Sequence, residues 1–258
     1  MGEKVFLMYH ELEVPGRALC QRDSGYLRYI VKISDFKSQM GWLRETGFQG
    51  LDVSSAVKPS ETSGVAITFD DGAETDLTAA APILKAAGFK ATFYITAGFV
   101  GRPGYLTRSH LLELGHLGFE IGCHSMTHAY LTDLDEAGLH REIVNAKQQL
   151  EEITGCPVLH YSCPGGRYDQ RVIETAQHAG FRTLATSRTR ANPDRASLFE
   201  LGRIVVMRQT SLPAFGRICR NQGLWKLRLR DLALTGVKRG LGNSNYDKLR
   251  GIFLTGQR

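Results

Sequence analysis

The sequence opens without a long apolar run. Val5 to Tyr9 is five residues and stops at His10 and Glu11. A secretory core needs roughly 7–15 apolar residues and a membrane span about 18, so neither is expected here. Gly2 invites N-acylation, but position 6 is Phe6 rather than Ser or Thr, and that signal fails. We therefore expect a cytoplasmic chain. Cysteine is scarce and odd in number: Cys20, Cys123, Cys156, Cys163 and Cys219, with no C-x-x-C pair. That argues against a disulfide scaffold or a zinc ribbon and fits a reducing compartment. Internal repeats and low-complexity segments are also missing.

A chain-wide basic excess is absent too. The net charge is +6, but residues 217–258 hold ten basic and two acidic side chains, a local +8. Residues 1–216 carry 22 basic against 24 acidic, a net −2. Nucleic acid is not an expected partner of the body, while the tail could meet a local anionic surface. Its stretch Leu224-Trp225-Lys226-Leu227-Arg228-Leu229-Arg230 reads in two ways. It is either a helix with a basic face for peripheral contact with the inner face of a membrane, or a helix packing its leucines on the body. We divide the chain into a body, 1–216, and a basic helical extension, 217–258.

What is present is an alternation of short β-type runs with helical stretches. Strands are predicted over 5–10, 50–53, 65–69, 91–95, 120–123, 159–162, 183–185 and 203–207. Helices are predicted over 34–46, 75–87, 107–117, 135–153 and 170–179, with Ser34 and Thr107 as N-caps. In the fourth helix Leu139, Ile143, Ala146, Leu150 and Ile153 recur at spacings of three and four, a buried face. Strands separated by helices of this length imply βα units and a parallel sheet. The count fits a distorted (β/α) barrel of about seven strands; a doubly wound open sheet is the rival. Either fold places chemistry at the C-terminal strand ends.

Reactive side chains do fall there. His10 closes the first strand, Asp70 and Asp71 the third, and His124 the fifth. Two adjacent carboxylates repel, and one pKa rises unless a cation intervenes; Asp71-Gly72 is also an ordinary turn pair. His124 and His128 stand at i and i+4, which on a helical turn suits chelation of one metal, though a surface pair has the same spacing. Asp71 with the two imidazoles would leave coordination positions open for water and substrate. Cys163-Pro164-Gly165-Gly166 reads as a strand-to-helix loop. Its functional reading is a Gly165 N–H aimed into the site as half of an oxyanion hole.

Taken together, Thr68–Gly72, His124–His128 and the Pro-Gly stretch resemble the successive motifs of the polysaccharide deacetylase family (NodB homology domain, carbohydrate esterase family 4). Ala91-Thr92-Phe93-Tyr94, Gly118-Phe119-Glu120-Ile121-Gly122 and Gly180-Phe181-Arg182-Thr183 are similar as well. The likeness covers roughly residues 3–210. It implies a distorted (β/α) barrel and metal-dependent removal of an N-acetyl group from an amino sugar in a polysaccharide or glycan precursor. By this resemblance Asp71, His124 and His128 hold the metal and Asp70 is the general base. The donor set suits zinc, with cobalt, nickel and iron as alternatives.

The chain also departs from the family pattern. The third motif usually begins with an arginine that orients the base; Ser162 stands there. An Asp-Trp fourth motif is not evident in Ala185–Thr189, and no histidine follows His178. The Tyr9-His10 start is similar to the poly-N-acetylglucosamine deacetylase branch, so His10 is the expected substitute acid. De-N-formylation, hydrolysis of another C–N amide, and an inactive glycan-binding relative stay open as alternatives.

Overall fold

Alternation along the strands decides where each side chain goes. The structure, a computed structural model, describes residues 3–59 and 63–224. Its strands are β1 (Glu3–Tyr9), β2 (Leu12–Glu13), β3 (Val31–Lys32), β4 (Gln49–Leu51), β5 (Gly64–Phe69), β6 (Thr92–Ile95), β7 (Glu120–Cys123), β8 (His160–Ser162), β9 (Thr183–Ala185), β10 (Asn192–Pro193) and β11 (Ile204–Val205). The main sheet runs β10-β1-β5-β6-β7-β8-β9, with β4 beside the start of β5 and β11 beside the end of β1. Every pair in it is parallel except β1–β10.

One short segment curls this sheet towards a barrel. Leu201 bridges to Ala185 at the β9 edge, and Ile204 and Val205 pair with Leu7 and Met8 of β1. An open doubly wound sheet would leave these two edges apart, so the distorted barrel is the observed alternative. The predicted strand 203–207 is only two residues of ladder, Ile204–Val205, followed by Val206 N–H donating to the Met8 carbonyl at 2.9 Å.

Odd-numbered positions of β1, β5, β6 and β7 point outward to the helices. Val5, Leu7, Tyr9, Val65, Ile67, Phe69, Phe93, Ile95 and Cys123 all belong to the outer core. Within it Tyr9, Phe69, Phe93 and Phe119 form a chain of rings with centroids 5.1–5.4 Å apart. Each such ring, fully buried, stabilises the fold by about 1.5–3 kcal/mol. Phe6, Ala66 and Tyr94, at even positions, make a second cluster inside the curl with Ala185 and Leu201. Because the side-chain period is two, Asp70, His124 and Ser162 continue the inner row at the C-terminal end. Cys123, one residue before His124, accordingly lies in the outer core.

The helices lie close to their predicted places, with three differences. The first long helix is Ile33–Glu45, and its N-cap is Lys32 rather than Ser34. The predicted helix over 75–87 starts as a π-helical turn, Asp76–Ala80, before the α-helix Ala81–Ala87. The one over 135–153 is interrupted by a second π-helical turn, His140–Asn145. Thr107 caps Arg108–His116 as expected, within a reciprocal capping box with His110. A further helix, Leu212–Cys219, packs Phe215 edge-on against Trp42. It runs through position 216, where the body was expected to end. Residues 225–258, which hold most of the basic tail, lie outside the described residues. Among the described residues no helix is long and apolar enough to cross a membrane.

Candidate active site

β5 ends at Phe69, and the ladder reaches one residue further through Asp70 N–H to the Tyr9 carbonyl at 3.0 Å. The next residue, Asp71, has φ 79°, a left-handed conformation that aspartate tolerates better than bulkier residues. This turn redirects an odd-numbered side chain, which would otherwise point to the helices, towards the strand ends. Asp71 Oδ1 lies 3.5 Å from His124 Nε2 and 3.5 Å from His128 Nε2.

His124 leaves β7 on the inner row and is buried. Its Nδ1 sits 2.9 Å from the Ser162 carbonyl oxygen, which accepts the Nδ1 proton and leaves the Nε2 lone pair facing Asp71. Burial, opposed by Asp70 and Asp71, pushes the imidazole down to about 4, so the ring is neutral near pH 7.

The His124–His128 spacing does not lie on a helical turn, contrary to expectation. Ser125 and His128 both have positive φ, 68° and 65°, and the loop is tied internally by His128 N–H to Ser125 Oγ at 2.9 Å. A buried carboxylate outside the loop fixes the rest. Glu142 Oε2 accepts from Met126 N–H at 3.0 Å and Thr127 N–H at 2.8 Å, and Oε1 accepts from Thr127 Oγ1 at 2.8 Å. The rings of His124 and His128 are thereby held with centroids 5.0 Å apart.

One donor atom from each of Asp71, His124 and His128 lies within 4.8 Å of the other two. Asp71 Oδ1 is buried and has no hydrogen-bond partner. A buried carboxylate oxygen without a partner is costly; a cation between it and the two imidazole nitrogens removes that cost. The residues therefore fit a divalent metal ion.

Beside this group lies a second carboxylate in a different state. Arg203 grips Asp70 with Nη1 to Oδ1 at 2.6 Å and Nη2 to Oδ2 at 2.7 Å, a two-pronged pair. Burial alone would push the Asp70 carboxyl up, but Arg203 and His124 outweigh it and hold the group far below the usual carboxylate range. An anionic carboxylate thus stands next to the Asp71, His124 and His128 cluster at the C-terminal ends of a curled parallel sheet.

Comparison with known proteins points to one family. A sequence profile described as polysaccharide deacetylase matches residues 58–184. The peptidoglycan-N-acetylglucosamine deacetylase of Bacillus cereus is 32% identical over 162 residues, covering 60% of this chain and 71% of that protein. This chain belongs to the polysaccharide deacetylase family. Among solved structures, the deacetylase PplD of Streptococcus pyogenes superposes with a TM-score of 0.74 at 21% identity, covering 84% of this chain and 98% of that one. IcaB of Ammonifex degensii gives 0.71 at 22% identity, with 85% and 98% covered. These two likenesses concern the fold.

Two further expected residues of this deacetylase-family chain lie on the same face. His10 follows β1, and its ring stacks at a tilt on Tyr29, with centroids 5.1 Å apart. Its Nδ1 is shielded from solvent and unpartnered. Burial lowers its pKa, while Asp71 and Asp70 act in the opposite direction. Gly165 has φ 60°, and a Cβ there would come within 2.8 Å of the Tyr130 ring, so the position requires glycine. The bonds closing its turn run from Gly166 N–H to the Cys163 carbonyl and from Arg167 N–H to the Pro164 carbonyl. Neither uses the Gly165 N–H. Tyr130, in turn, carries the Arg167 guanidinium 3.6 Å above its ring centre.

Sequence reasoning missed Arg203 and Glu142. Each had a signal. Arg203 opens an apolar strand-like run, Ile204 to Met207, where a cation has no reason to be unless it is paired. Glu142 sits beside the buried stripe of Leu139, Ile143 and Ala146, where an acid needs partners.

Proposed function

We propose that this chain is a metal-dependent hydrolase that removes an N-acetyl group from an amino sugar in a polysaccharide or glycan precursor. One observation carries the reading: the unpartnered Asp71 Oδ1 faces the Nε2 atoms of His124 and His128, directly beside the anionic Asp70. Asp71, His124 and His128 would hold the ion, zinc in first place and cobalt, nickel or iron after it. When bound, such an ion favours ionisation of a water and polarises the acyl oxygen.

The other steps belong to the chain's own residues. Asp70, kept charged by Arg203, accepts the proton of the attacking water. Gly165 N–H donates to the oxygen that becomes negative as the amide carbon turns tetrahedral. The amine leaves once protonated, and His10, close to the charges of Asp70 and Asp71, is the group we assign to deliver that proton as an imidazolium, which the proton Asp70 took from the water then restores. An intact ligand triad and a charged base support turnover over the reading of an inactive glycan-binding relative.

The deciding experiment is release of acetate and free amine from N-acetylated chitooligosaccharides and peptidoglycan fragments, with metal content measured on the same sample. Matching amounts of acetate and amine support the assignment. Formate in place of acetate from N-formyl sugars would redirect it to de-N-formylation. We also propose a cytoplasmic setting, supported by five unpaired cysteines, with the basic extension near an anionic surface. Sedimentation with anionic vesicles at low and high salt checks the latter.

A further inference from the structure

Asp70 is held from the far end of the chain. Arg203 is fully buried, and every N–H of its guanidinium has an acceptor. Nε donates to the Thr186 carbonyl at 3.1 Å. Nη1 donates to Asp70 Oδ1 at 2.6 Å and Thr68 Oγ1 at 3.2 Å. Nη2 donates to Asp70 Oδ2 and to Ser162 Oγ, both at 2.7 Å. Ser162 Oγ passes its own proton on to Asp70 Oδ2 at 3.3 Å. A hydroxyl that accepts once and donates once, and a guanidinium with five donors in use, leave no freedom of rotation in the carboxylate between them.

Arg203 sits in the segment that curls the barrel shut, between the bridge at Leu201 and the pairing at Ile204. Its side chain crosses the interior from that segment to β5, β8 and the end of β9. We propose that Arg203 is the positioning residue for Asp70, with Ser162 as its relay, so that closure of the barrel by residues 201–205 sets the orientation of the base. Ser162 stands where an arginine would otherwise reach Asp70 from β8; its small side chain makes room for a guanidinium arriving from the closing segment between β9 and β1. A buried ion pair by itself says little about stability. The five-donor geometry is what a stabilising pair does not need and an aimed carboxylate does.

This inference rests on the reading of Asp70 as the base, and its test separates the two. Arg203→Lys and Arg203→Met are compared with the wild type for kcat, KM, bound zinc and Tm, together with the exchange variant Arg203→Met/Ser162→Arg. Lysine offers three donors from one point and cannot form the fork. For Arg203→Lys we expect kcat for acetate release to fall about a hundred-fold with KM and bound zinc unchanged. The exchange variant, returning a guanidinium to the same space from β8, should recover part of that kcat over Arg203→Met. Wild-type kcat in Arg203→Lys, or no recovery in a folded exchange variant, would overturn the positioning role alone. No acetate from zinc-loaded wild type would overturn the reading of the base, and the inference with it.

Discussion

Glu142 binds Thr127 through both carboxylate oxygens, each at 2.8 Å, to the backbone N–H and to Oγ1. This fixes the loop that carries His128, although Glu142 lies in another element, the π-helical turn His140–Asn145. Removing the carboxylate should loosen His128 without touching any donor atom. For Glu142→Ala we expect zinc affinity to drop about 10–100-fold, measured by competition with a chromophoric chelator. Unchanged affinity would mean that the loop holds its shape by the Ser125 and His128 contacts alone.

Metal should stabilise the fold as well as serve the reaction. Binding to the native state alone adds RT ln(1 + [L]/Kd), about 2.7 kcal/mol at a hundred-fold excess over Kd. The wild type should therefore melt at a higher temperature with zinc than after chelation. His128→Ala should lose most of that difference, and a calorimetric scan of both proteins with and without metal checks it.

His10 and Asp70 act at opposite ends of the proposed reaction and should fail differently. His10→Ala should lower kcat by roughly 10²–10⁴-fold while keeping its zinc. Asp70→Asn should do the same and also leave the buried Arg203 without its charge partner, so it should melt lower than His10→Ala. An unchanged kcat in His10→Ala would remove His10 from the proton-delivery role.

At the other end of the barrel, His160 Nε2 lies 3.1 Å from Glu120 Oε1 and 2.8 Å from Ser54 Oγ. Burial raises the Glu120 pKa, but His160, Ser54 and Thr92 outweigh it, and the folded value is lowered. A depressed carboxylate contributes stability that is fully present above its unfolded value, about 4.3, and lost as pH falls through the folded value. Glu120→Gln should thus flatten the fall of stability with pH below about 4.3, in urea unfolding across that range. An identical slope would show that this pair does not govern acid stability.

The order of strands and most helices was legible because hydrophobic periods and glycine stops are local signals. The candidate site was half legible for the same reason. Asp70, Asp71, His124 and His128 announce themselves within five-residue motifs, and the parity of each strand brings Asp70 and His124 to the inner row. What the sequence could not show is distance across the barrel. Arg203 lies 133 residues from Asp70, and only the closing segment brings them together. The His124–His128 spacing suggested a helical turn, yet left-handed Ser125 and His128, backed by Glu142, bring the rings to 5.0 Å by another path. The π-helical turns were missed because they preserve the apolar stripe that defines the helix.

The measurement that bears most directly on the account is acetate release from an N-acetylated chitooligosaccharide by one preparation in three states: as zinc-loaded protein, after chelation, and after zinc is returned. The account predicts acetate with an equal amount of free amine in the first and third states and none in the second. Zinc-loaded wild type that releases neither acetate nor amine from N-acetylated chitooligosaccharides or peptidoglycan fragments would contradict it.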